Sequence, residues 1–548
     1  MSKPTVHPVR RITAAADAGW DVSADVVVVG FGAAGASAAL EASGHGSDVL
    51  LIDRLLGGGD TAYSGGAFYA GGQSDEQRAA GFDDTVEDMY SYLRLEVDGA
   101  VSDSTVRRFC EQSLDQLAWL EDHGVRFGHG FWPEKATLPP DGYHLFYSGS
   151  EQQAPFNGVA NPAPRAHQVE GPGLSAGREL FRSLEAAVRR STIEVRLQTV
   201  AQRLVVDTAG RVVGIDGVSV ANPLAATLHR LVAVGTRRIP AAISVGPHLP
   251  LLFGALRALE RRFARRSVRI RARHGVILAT GGYTWNRELI DRYAPHTRRL
   301  MPIGLDSDGS GLLLGQGVGA ATRYLETPGI FRMFVPPQAF GRGALVGRDG
   351  RRLTNEMYYH GRVGRAIHEL SSGAAYLILD QALVEEARRE FPRLHFIAKF
   401  PAQAGLLRAK KATSVEALAN QLNMPAENLK QSLDDVATAA AGGGDPFGRA
   451  KEKSAALNSR PLYAIDVSLA RGPIPATTFS LGGLVLDEET GAVLDTDGRA
   501  IAGLFAAGRV AVGVCSNSYI SGLSLTDCVF SGRRAGVAVS QAISSGSA

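Results

Sequence analysis

Residues 24–53, ADVVVVGFGAAGASAALEASGHGSDVLLID, restrict the fold more than any other part of the chain. A run of four valines opens the segment, as in a parallel strand that is covered on both faces. Gly30, Gly32 and Gly35 then form a G-x-G-x-x-G pattern before good helix formers, and a second apolar strand ends at Asp53. This complete β-α-β context predicts a dinucleotide-binding unit, with the pyrophosphate at the helix N-terminus and Asp53 on a ribose hydroxyl.

Three later segments extend the predicted nucleotide site beyond the pyrophosphate. Residues 55–72, LLGGGDTAYSGGAFYAGG, form a long loop of glycines and hydroxyl residues that would follow an extended cofactor. Residues 273–286 combine an apolar strand with a sharp Gly281-Gly282 turn, and residues 503–509, GLFAAGR, read as another strand that ends in small residues. No second G-x-G-x-x-G pattern occurs, so the sequence predicts no separate NAD(P)H-binding domain.

Taken in order, these elements resemble the FAD-binding domain of the fumarate reductase and succinate dehydrogenase flavoprotein superfamily. Two further segments match elements of that family, LDSDGSG at residues 305–311 and GRDGRRLTNE at residues 347–356. The resemblance implies an FAD cofactor and an α/β fold, with a Rossmann-like FAD-binding domain and an inserted α+β capping domain. The predicted cofactor-binding residues are Gly30, Gly32, Ala33, Ala34, Gly35, Asp53, Arg54, Gly59, Asp60, Thr61, Ser64, Gly65, Gly66, Thr280, Gly281, Gly282, Asp308, Gly508, Arg509, Ser524 and Leu525.

The resemblance also divides the chain into parts. Residues 1–290 and 455–548 would build the FAD-binding domain, and residues 291–454 would form the cap over the flavin. Within the cap, residues 411–445 show helical spacing and end in a glycine break, which predicts a helical region. We expect the active site at the boundary between the two domains, where ligand pockets are common.

Composition excludes several classes of function. Lys+Arg is 58 against Asp+Glu 55, and a net charge of +3 is too small for a general nucleic-acid binder. The 3 cysteines are too few for a disulfide framework and show no metal-ligand spacing, so we expect a reducing compartment and no metal site. Arg10 and Arg11 precede no apolar run, and no apolar stretch of about 20 residues occurs. Neither an export signal nor a membrane-spanning helix is therefore predicted.

Residues 221–266 do not fit the family plan, in which a short turn joins the flanking strands. The two apolar runs of this insertion contain prolines, so neither can form one long helix, and arginines flank both runs. Apolar surface with an arginine fringe is typical of interfacial membrane association, and the alternative is a contact with the cap or with a second subunit. We predict a cytoplasmic protein that is peripheral at the inner face of the cell membrane and takes a poorly soluble substrate from the bilayer.

The resemblance to fumarate reductases fails at the residues that hold a dicarboxylate. The C-terminal Asn-Arg-Leu-Gly-Gly pattern of those enzymes aligns with NSYISG at residues 517–522, so the arginine is lost. The family's histidine before a Met-Gly-Gly turn is replaced by Phe479 and Ser480. The cap arginine that supplies the proton aligns with Phe340, although Arg342 lies close by. Because a dicarboxylate without cations would be costly to desolvate, we predict a neutral, apolar ligand.

The Tyr-x-Ser-Gly pattern at Tyr519 and Ser521 resembles the 3-ketosteroid dehydrogenases of the same superfamily, and within them the Δ4-(5α) branch. That resemblance implies that Tyr519 and Ser521 are catalytic and that the cap contributes a second tyrosine. Tyr358 and Tyr359 are the two candidates, and Tyr359 is preferred. The Δ1 branch instead has Tyr-x-x-x-Gly, and this chain has Leu523 in place of that glycine.

The chemistry of a 3-ketone explains why hydroxyl groups would be sufficient. Removing the proton next to the ketone builds enolate charge on its oxygen, while a hydride leaves the adjacent carbon for flavin N5. The protein must therefore supply a base and a hydrogen-bond donor at the ketone. A tyrosine, with an ordinary pKa of about 10, acts as a base only if its anion is stabilised or its proton is relayed, as a Tyr519–Ser521 pair could do. A helix beginning near Ser524 would direct its positive end at the N1/O2 edge of the flavin.

We therefore predict an enzyme that introduces the 4,5 double bond into a 5α-3-ketosteroid. The alternatives are a Δ1-dehydrogenase, another enone reductase related to the fumarate reductases, or a flavin-bearing membrane-associated binding protein without turnover. His360, next to the two cap tyrosines, is predicted to be a structural hydrogen-bonding residue. Because no nicotinamide domain is predicted, the expected electron acceptor is a quinone or another respiratory-chain carrier.

Overall fold

The valine-rich strand of the β-α-β unit lies inside a mixed sheet of nine described strands. In this computed structural model the described residues are 6–13, 19–171, 175–220, 265–304, 307–471 and 476–541, with isolated residues between 223 and 234. The main path of the sheet runs Arg10–Arg11, Thr199–Val206, Val212–Val220, Arg265–Leu278, Val22–Val29, Val49–Ile52 and Glu194–Arg196. Ala500–Ala506 also pairs with Arg265–Leu278, and Ala492–Leu494 pairs with Ala500–Ala506.

Four parallel strands of this sheet end in register. Val29 pairs with Ile52 on one side and with Leu278 on the other, and Leu278 pairs with Ala506. The four valines are buried, as a parallel strand with both faces covered requires. Because the carboxyl ends lie at one edge, the loops that follow these strands meet there. The predicted Rossmann-like α/β architecture is confirmed.

The C-terminal helix Leu523–Gln541 packs closely along the first helix, Ala33–Gly44. Small residues allow the close approach, because a Cβ added to Gly532 would come within 2.5 Å of the Ala34 carbonyl oxygen. A Cβ added to Gly536 would come equally near, at 2.5 Å from the Ala38 carbonyl oxygen. The contact brings the N-terminus of the last helix to the edge of the sheet where the glycine-rich turn lies.

The rest of the first half of the chain builds a wall beside this edge. A four-stranded sheet runs in the order Ala67–Tyr69, Ala166–Gln168, Leu145–Phe146 and Phe131–Trp132. The α-helices here are Asp75–Ala79, Val86–Val97, Asp103–Glu111, Ser113–Asp122 and Ala176–Arg190, and a 3₁₀ turn covers Gly59–Tyr63. On the other side of the site, a small sheet is formed by Met301–Pro302, Thr477–Phe479 and Gly329–Phe331.

The cap contains an antiparallel sheet in the order Ala344–Val346, Tyr376–Leu379, Leu462–Asp466 and Lys410–Ala412. The α-helices between residues 287 and 440 are Arg287–Tyr293, Ser310–Gly317, Gln338–Gly341, His360–Ser371, Gln381–Glu390, Phe396–Arg408, Val415–Leu422 and Ala426–Ala440. The last two confirm the helical region predicted for residues 411–445. The boundary expected at residue 454 falls before Leu462–Asp466, whose pairing with Tyr376–Leu379 extends the cap sheet to Asp466.

Most of the insertion at residues 221–266 lies outside the described residues. Its last residues, Arg265 and Arg266, start the strand Arg265–Leu278 and pair with Val220 and Ser219. Among the helices that the structure describes, none has the length and apolar character needed to cross a bilayer.

Candidate active site

A cavity of about 560 Å³ runs from the carboxyl ends of the parallel strands to the cap. The predicted cofactor-binding residues that line it are Gly30, Gly32, Ala33, Ala34, Asp53, Arg54, Gly59, Asp60, Thr61, Ser64, Gly65, Gly66, Thr280, Gly281, Asp308, Arg509, Ser524 and Leu525. The predicted catalytic residues Tyr359, Tyr519 and Ser521 line the same cavity. Residues that are up to 495 positions apart in the sequence, from Gly30 to Leu525, therefore meet around one space.

Three predicted cofactor-binding glycines, Gly35, Gly282 and Gly508, do not line the cavity but pack beside it. A Cβ on Gly35 would come within 1.8 Å of the Gly30 carbonyl oxygen, so the first helix could not pack against the turn. A Cβ on Gly282 would meet the Ser480 hydroxyl at 1.8 Å. Gly508 has φ +67° and is held by its N–H, which donates to the Ser531 hydroxyl over 2.9 Å. The structure corrects their role from cofactor contact to backbone packing.

The glycine-rich turn leaves backbone exposed to the cavity. Gly30 has φ +109°, and a Cβ there would come within 2.4 Å of the Ala279 carbonyl oxygen. A Cβ on Gly32 would lie 3.3 Å from the Thr61 hydroxyl, which itself accepts the Ala33 N–H over 3.0 Å. The first turn of the helix thus faces the cavity with its positive end, which is a site for a pyrophosphate.

Asp53 holds the turn together in addition to facing the cavity. One carboxylate oxygen accepts the Phe31 N–H over 2.9 Å, and the other accepts the N–H groups of Leu55 and Gly57 over 2.8 and 3.1 Å. Each carboxylate oxygen has more than one lone pair, so the ribose contact predicted for Asp53 remains compatible with these bonds.

Two ion pairs balance the charges that line the cavity. Arg54 pairs with Asp308, and Arg509 pairs with Asp60. Asp60 also accepts a hydrogen bond from the hydroxyl of Ser307. Since each guanidinium already has a carboxylate partner, neither is available to neutralise a dicarboxylate substrate.

Two residues on the cavity wall, Thr280 and Thr477, have a buried hydroxyl that forms no hydrogen bond with any described residue. The exposed backbone of the turn at Gly30 and Gly32, where side chains would fill the space, fits the pyrophosphate of an extended dinucleotide such as FAD.

The two tyrosines predicted to be catalytic meet at the cap end of the cavity. The ring centroids of Tyr359 and Tyr519 are 5.8 Å apart, and Tyr359 is buried whereas Tyr519 is partly buried. Ser521 acts to lower the pKa of Tyr359, and the N–H of Gly522 acts to lower the pKa of Tyr519. The proton relay through a Tyr519–Ser521 pair stays a prediction.

Burial, as the largest cause, raises the pKa of both phenols above the ordinary value of 10.0. The negative charges of Tyr519 and Glu96 raise the pKa of Tyr359 further, and Ser521 lowers it. Cys515 raises the pKa of Tyr519 further, whereas the N–H of Gly522 and the guanidinium of Arg509 lower it. Because the Arg509 guanidinium acts on Tyr519, this phenol is the better placed of the two to hold a negative charge.

Tyr358, the other cap candidate, does not line the cavity. Its hydroxyl donates to the Ala154 carbonyl oxygen over 2.7 Å, and its ring packs edge-on against Phe156 with centroids 6.0 Å apart. Tyr358 lies in a turn closed by its N–H, which donates to the Asn355 carbonyl oxygen over 3.1 Å, and Tyr359 is the N-cap of the helix His360–Ser371. The structure therefore corrects Tyr358 to a packing residue and leaves Tyr359 as the cap tyrosine.

Aromatic rings form the wall opposite the hydroxyl groups. Phe331 and Phe479 stack at 4.7 Å with an interplanar angle of 11°, because their strands pair next to the cavity. Tyr519 stands edge-on against both rings, at 5.5 Å from Phe331 and 4.9 Å from Phe479. The Arg509 guanidinium lies 5.2 Å from the centroid of the Phe479 ring, and the aromatic wall suits a flat, apolar ligand.

The residues aligned with the proton-donating arginine do not reach this cavity. Phe340 is buried in the cap, and Arg342 pairs with Glu386 over 2.8 Å. Ser480, at one of the family's ligand positions, accepts the N–H of Tyr283 over 3.0 Å. The predicted loss of the dicarboxylate-binding groups at these positions thus agrees with their placement.

His360 lines the cavity as a neutral residue. Its Nε2 lies 2.7 Å from the Thr137 hydroxyl, which agrees with the predicted hydrogen-bonding role. Burial, followed by the nearby Lys135 ammonium, lowers the pKa of His360 well below 6.5. Lys135 donates to the carbonyl oxygens of Met357, over 2.7 Å, and Tyr358, which fixes the backbone just before Tyr359.

Several lining residues carried no signal in the sequence. Thr137 and Leu138 come from a loop without a motif, while Phe331, Met333 and Thr477 come from or adjoin the short strands of the small sheet. These residues also line a second cavity of about 140 Å³, which the helix Phe396–Arg408 closes on the cap side. Only the pairing of distant strands brings them to the site, so local patterns could not have found them.

Comparison with known proteins gives a consistent result. A family model described as an FAD binding domain matches residues 25–525. The 3-oxo-5-alpha-steroid 4-dehydrogenase of Comamonas testosteroni is 34% identical over 524 residues, which is 92% of this chain and 96% of that protein.

Two solved structures are similar to the whole chain. The 3-ketosteroid-delta4-(5alpha)-dehydrogenase of Rhodococcus jostii RHA1, solved in complex with 4-androstene-3,17-dione, has a TM-score of 0.80 at 32% identity and covers 97% of this chain and 100% of its own. An open conformation of a flavocytochrome c3 fumarate reductase has a TM-score of 0.59 at 26% identity and covers 96% of this chain and 80% of its own.

Proposed function

The chain belongs to the FAD-binding flavoprotein family that includes the 3-oxo-5α-steroid 4-dehydrogenases, and we propose that it introduces the 4,5 double bond into a 3-oxo-5α-steroid. The observation that carries this proposal is the aromatic end of the cavity, where Tyr359, Tyr519 and Ser521 lie beside the stacked rings of Phe331 and Phe479 and the nearby guanidinium of Arg509 is already paired with Asp60. A neutral ketone needs hydrogen-bond donors and a base there, and it needs no free guanidinium.

FAD bound in this cavity supplies the hydride acceptor. The residues placed to hold it are the turn at Gly30 and Gly32, the carboxylate of Asp53, and the hydroxyls of Thr61 and Thr280. Ser524 and Leu525, in the first turn of the last helix, would direct the positive end of that helix at the flavin ring.

We assign Tyr519 as the base that removes the proton next to the ketone. The Gly522 N–H and the nearby Arg509 guanidinium both lower the pKa of its phenol, and they would stabilise the phenolate. Tyr359 then serves as the hydrogen-bond donor at the ketone oxygen. The negative charges of Tyr519 and Glu96 raise its pKa, and Ser521 would orient its hydroxyl.

The electron acceptor that we propose is a quinone or another respiratory-chain carrier. The support is the single G-x-G-x-x-G unit in the sequence, which leaves no second domain for a nicotinamide. Anaerobic reoxidation of the reduced protein tests this proposal. A short-chain quinone should restore the oxidised flavin spectrum, and restoration by NAD⁺ or NADP⁺ instead would contradict it.

We further propose that residues 221–266 contact the membrane from the cytoplasmic side. Leu224 and Leu231, which are described residues of this insertion, are 72% and 64% exposed. Exposed apolar residues in an arginine-rich segment suit the headgroup boundary of an anionic membrane. Fractionation of cells that express the full chain and a chain without this insertion tests the contact.

One assay tests the enzymatic proposal. The flavin of the purified protein should bleach when a saturated 5α-3-ketosteroid is added without oxygen, and the product should be the 4-ene-3-one. A 1-ene-3-one product would instead support a Δ1-dehydrogenase. A bound flavin that no ketosteroid reduces would support the binding protein.

A further inference from the structure

The helix Phe396–Arg408 forms one side of the cap and has two contrasting faces. On its inner face, Ile397 lines the active-site cavity, and four further residues line the second cavity, namely Ala398, Pro401, Ala402 and Gly405. On its outer face, the large apolar side chains of Phe396, Phe400 and Leu407 are 51%, 60% and 87% exposed.

These three exposed side chains form one stripe. Positions i, i+4 and i+11 of a helix lie within about 40° of one another, since each residue advances by about 100°. Single exposed apolar residues are ordinary on a protein surface, whereas a contiguous apolar patch marks an interaction site. We call Phe396, Phe400 and Leu407 the outer stripe.

The charged residues along this segment of the chain all have the same sign. Residues 391–415 contain no Asp or Glu, and their basic residues are Arg393, Lys399, Arg408, Lys410 and Lys411. None of these five forms an ion pair with a carboxylate of the described residues. A basic fringe around apolar side chains matches the surface of an anionic bilayer, which offers phosphate headgroups above acyl chains.

The position of the outer stripe suits the delivery of a steroid to the cavity. A 3-ketosteroid partitions into the acyl region, and the helix that carries the outer stripe also lines the cavity where this ligand would bind. Ile303 and Met333, which line the same cavity, are themselves 37% and 38% exposed, so the apolar wall continues to the protein surface.

We propose that the outer stripe docks on an anionic lipid bilayer and brings the cap helix that lines the steroid cavity to the membrane. The site differs from the contact proposed for residues 221–266, because it lies on a cap helix of the described chain. The role in substrate delivery rests on the proposed steroid dehydrogenase function, whereas the docking itself does not. Binding to vesicles can therefore be tested without turnover.

The test uses the flavin-loaded full chain and vesicles of phosphatidylcholine mixed with phosphatidylglycerol. The triple variant Phe396→Ser/Phe400→Ser/Leu407→Ser should partition to these vesicles at least about tenfold more weakly than the parent in a flotation assay. Leu370→Ser is the matched control, because Leu370 is 65% exposed on another helix, His360–Ser371. This control should bind vesicles like the parent, and added salt should weaken binding of the parent.

Two further measurements complete the test. The triple variant should keep its flavin and its rate on steroid dissolved in buffer, and its apparent KM for steroid delivered in vesicles should rise. The single variant Leu407→Ser repeats the flotation assay with the smallest change to the fold. A parent that does not bind vesicles, or a triple variant that binds as strongly as the parent, overturns the proposal.

Sedimentation velocity tests whether a second copy of the chain, rather than a bilayer, covers the outer stripe. If the parent is a dimer and the triple variant is a monomer with unchanged vesicle binding, the outer stripe is a contact with a second copy and the proposal is wrong. If the triple variant loses vesicle binding but no ketosteroid reduces the flavin of the parent, the docking proposal stands and the proposed function fails.

Discussion

Replacing Tyr519 with phenylalanine removes one oxygen atom from the centre of the proposed mechanism. The phenylalanine ring can keep the edge-on contacts with Phe331 and Phe479, at 5.5 and 4.9 Å, so the wall of the cavity should stay in place. A positioned base contributes about 10²- to 10⁴-fold to a rate. We therefore expect flavin reduction by a 5α-3-ketosteroid to slow by about 10²- to 10⁴-fold, which corresponds to about 3–5 kcal/mol of transition-state stabilisation.

The assay is anaerobic single-turnover flavin reduction, which isolates chemistry from reoxidation. Flavin content should equal that of the parent, since Tyr519 is not among the predicted cofactor residues. Tyr358→Phe is the matched control, because Tyr358 bonds to the Ala154 carbonyl oxygen away from the cavity. The assignment of Tyr519 is refuted if its variant reduces flavin within a factor of about three of the parent rate.

The pH dependence provides an independent test of the same assignment. Burial, as the largest cause, raises the pKa of Tyr519 above 10.0, so the phenol is protonated at neutral pH. The rate of flavin reduction should therefore rise with pH on the alkaline side, by up to about tenfold per unit, as the phenolate fraction grows. In Tyr519→Phe this alkaline rise should disappear.

Three further predictions concern the cofactor, the cap tyrosine and a buried lysine. Gly32→Val should yield a folded protein without flavin absorbance, because the new side chain meets the Thr61 hydroxyl at the cavity wall. Gly44→Val is the control and should keep FAD, because a Cβ added to Gly44 would meet no atom within 4 Å. Ser521→Ala should raise KM for the ketosteroid, because it removes a neighbour of the Tyr359 hydroxyl. It should lower kcat less than Tyr519→Phe does, and an equal loss of kcat in both variants would contradict this division of roles. Burial, partly offset by Glu151 and Glu96, lowers the pKa of Lys135 from 10.5 to about 7. Between these two pH values the unfolded chain binds one proton more than the folded chain. Folding stability should therefore increase with pH across that window. In Lys135→Met this increase in Tm from pH 7 to pH 10 should be smaller than in the parent, and an equal slope in thermal unfolding would show that Lys135 is not the titrating group.

The sequence was most informative where function depends on local backbone geometry. The turn at Gly30 and Gly32 could be recognised because its conformation, a strand, a tight turn and a helix, is encoded within about 30 consecutive residues. The contact of helix Leu523–Gln541 with the first helix was harder to foresee. It depends on Gly532 and Gly536 facing small residues almost five hundred positions away.

Tyr358 and Tyr359 show a different limit of sequence analysis. The two residues are neighbours with the same side chain, and the resemblance to the steroid enzymes could only prefer one of them. The turn that leads into the helix His360–Ser371 places one ring at the cavity and the other toward Ala154. Likewise, Arg54 and Asp308 are 254 residues apart, so their ion pair, and thus the balanced charge of the cavity, appears only in the folded chain.

The two phenols near the ketone site are chemically identical, so their roles must come from their surroundings. Pairs of titratable groups whose environments move their pKa values apart are how a site separates an acid from a base. Here the negative charge of Tyr519 itself raises the pKa of Tyr359, at a centroid separation of 5.8 Å. Once Tyr519 has lost its proton, Tyr359 is held more firmly in the protonated form that can donate to an enolate oxygen. The assignment therefore reinforces itself, and exchanging the roles would require an anion at Tyr359, where Glu96 opposes it.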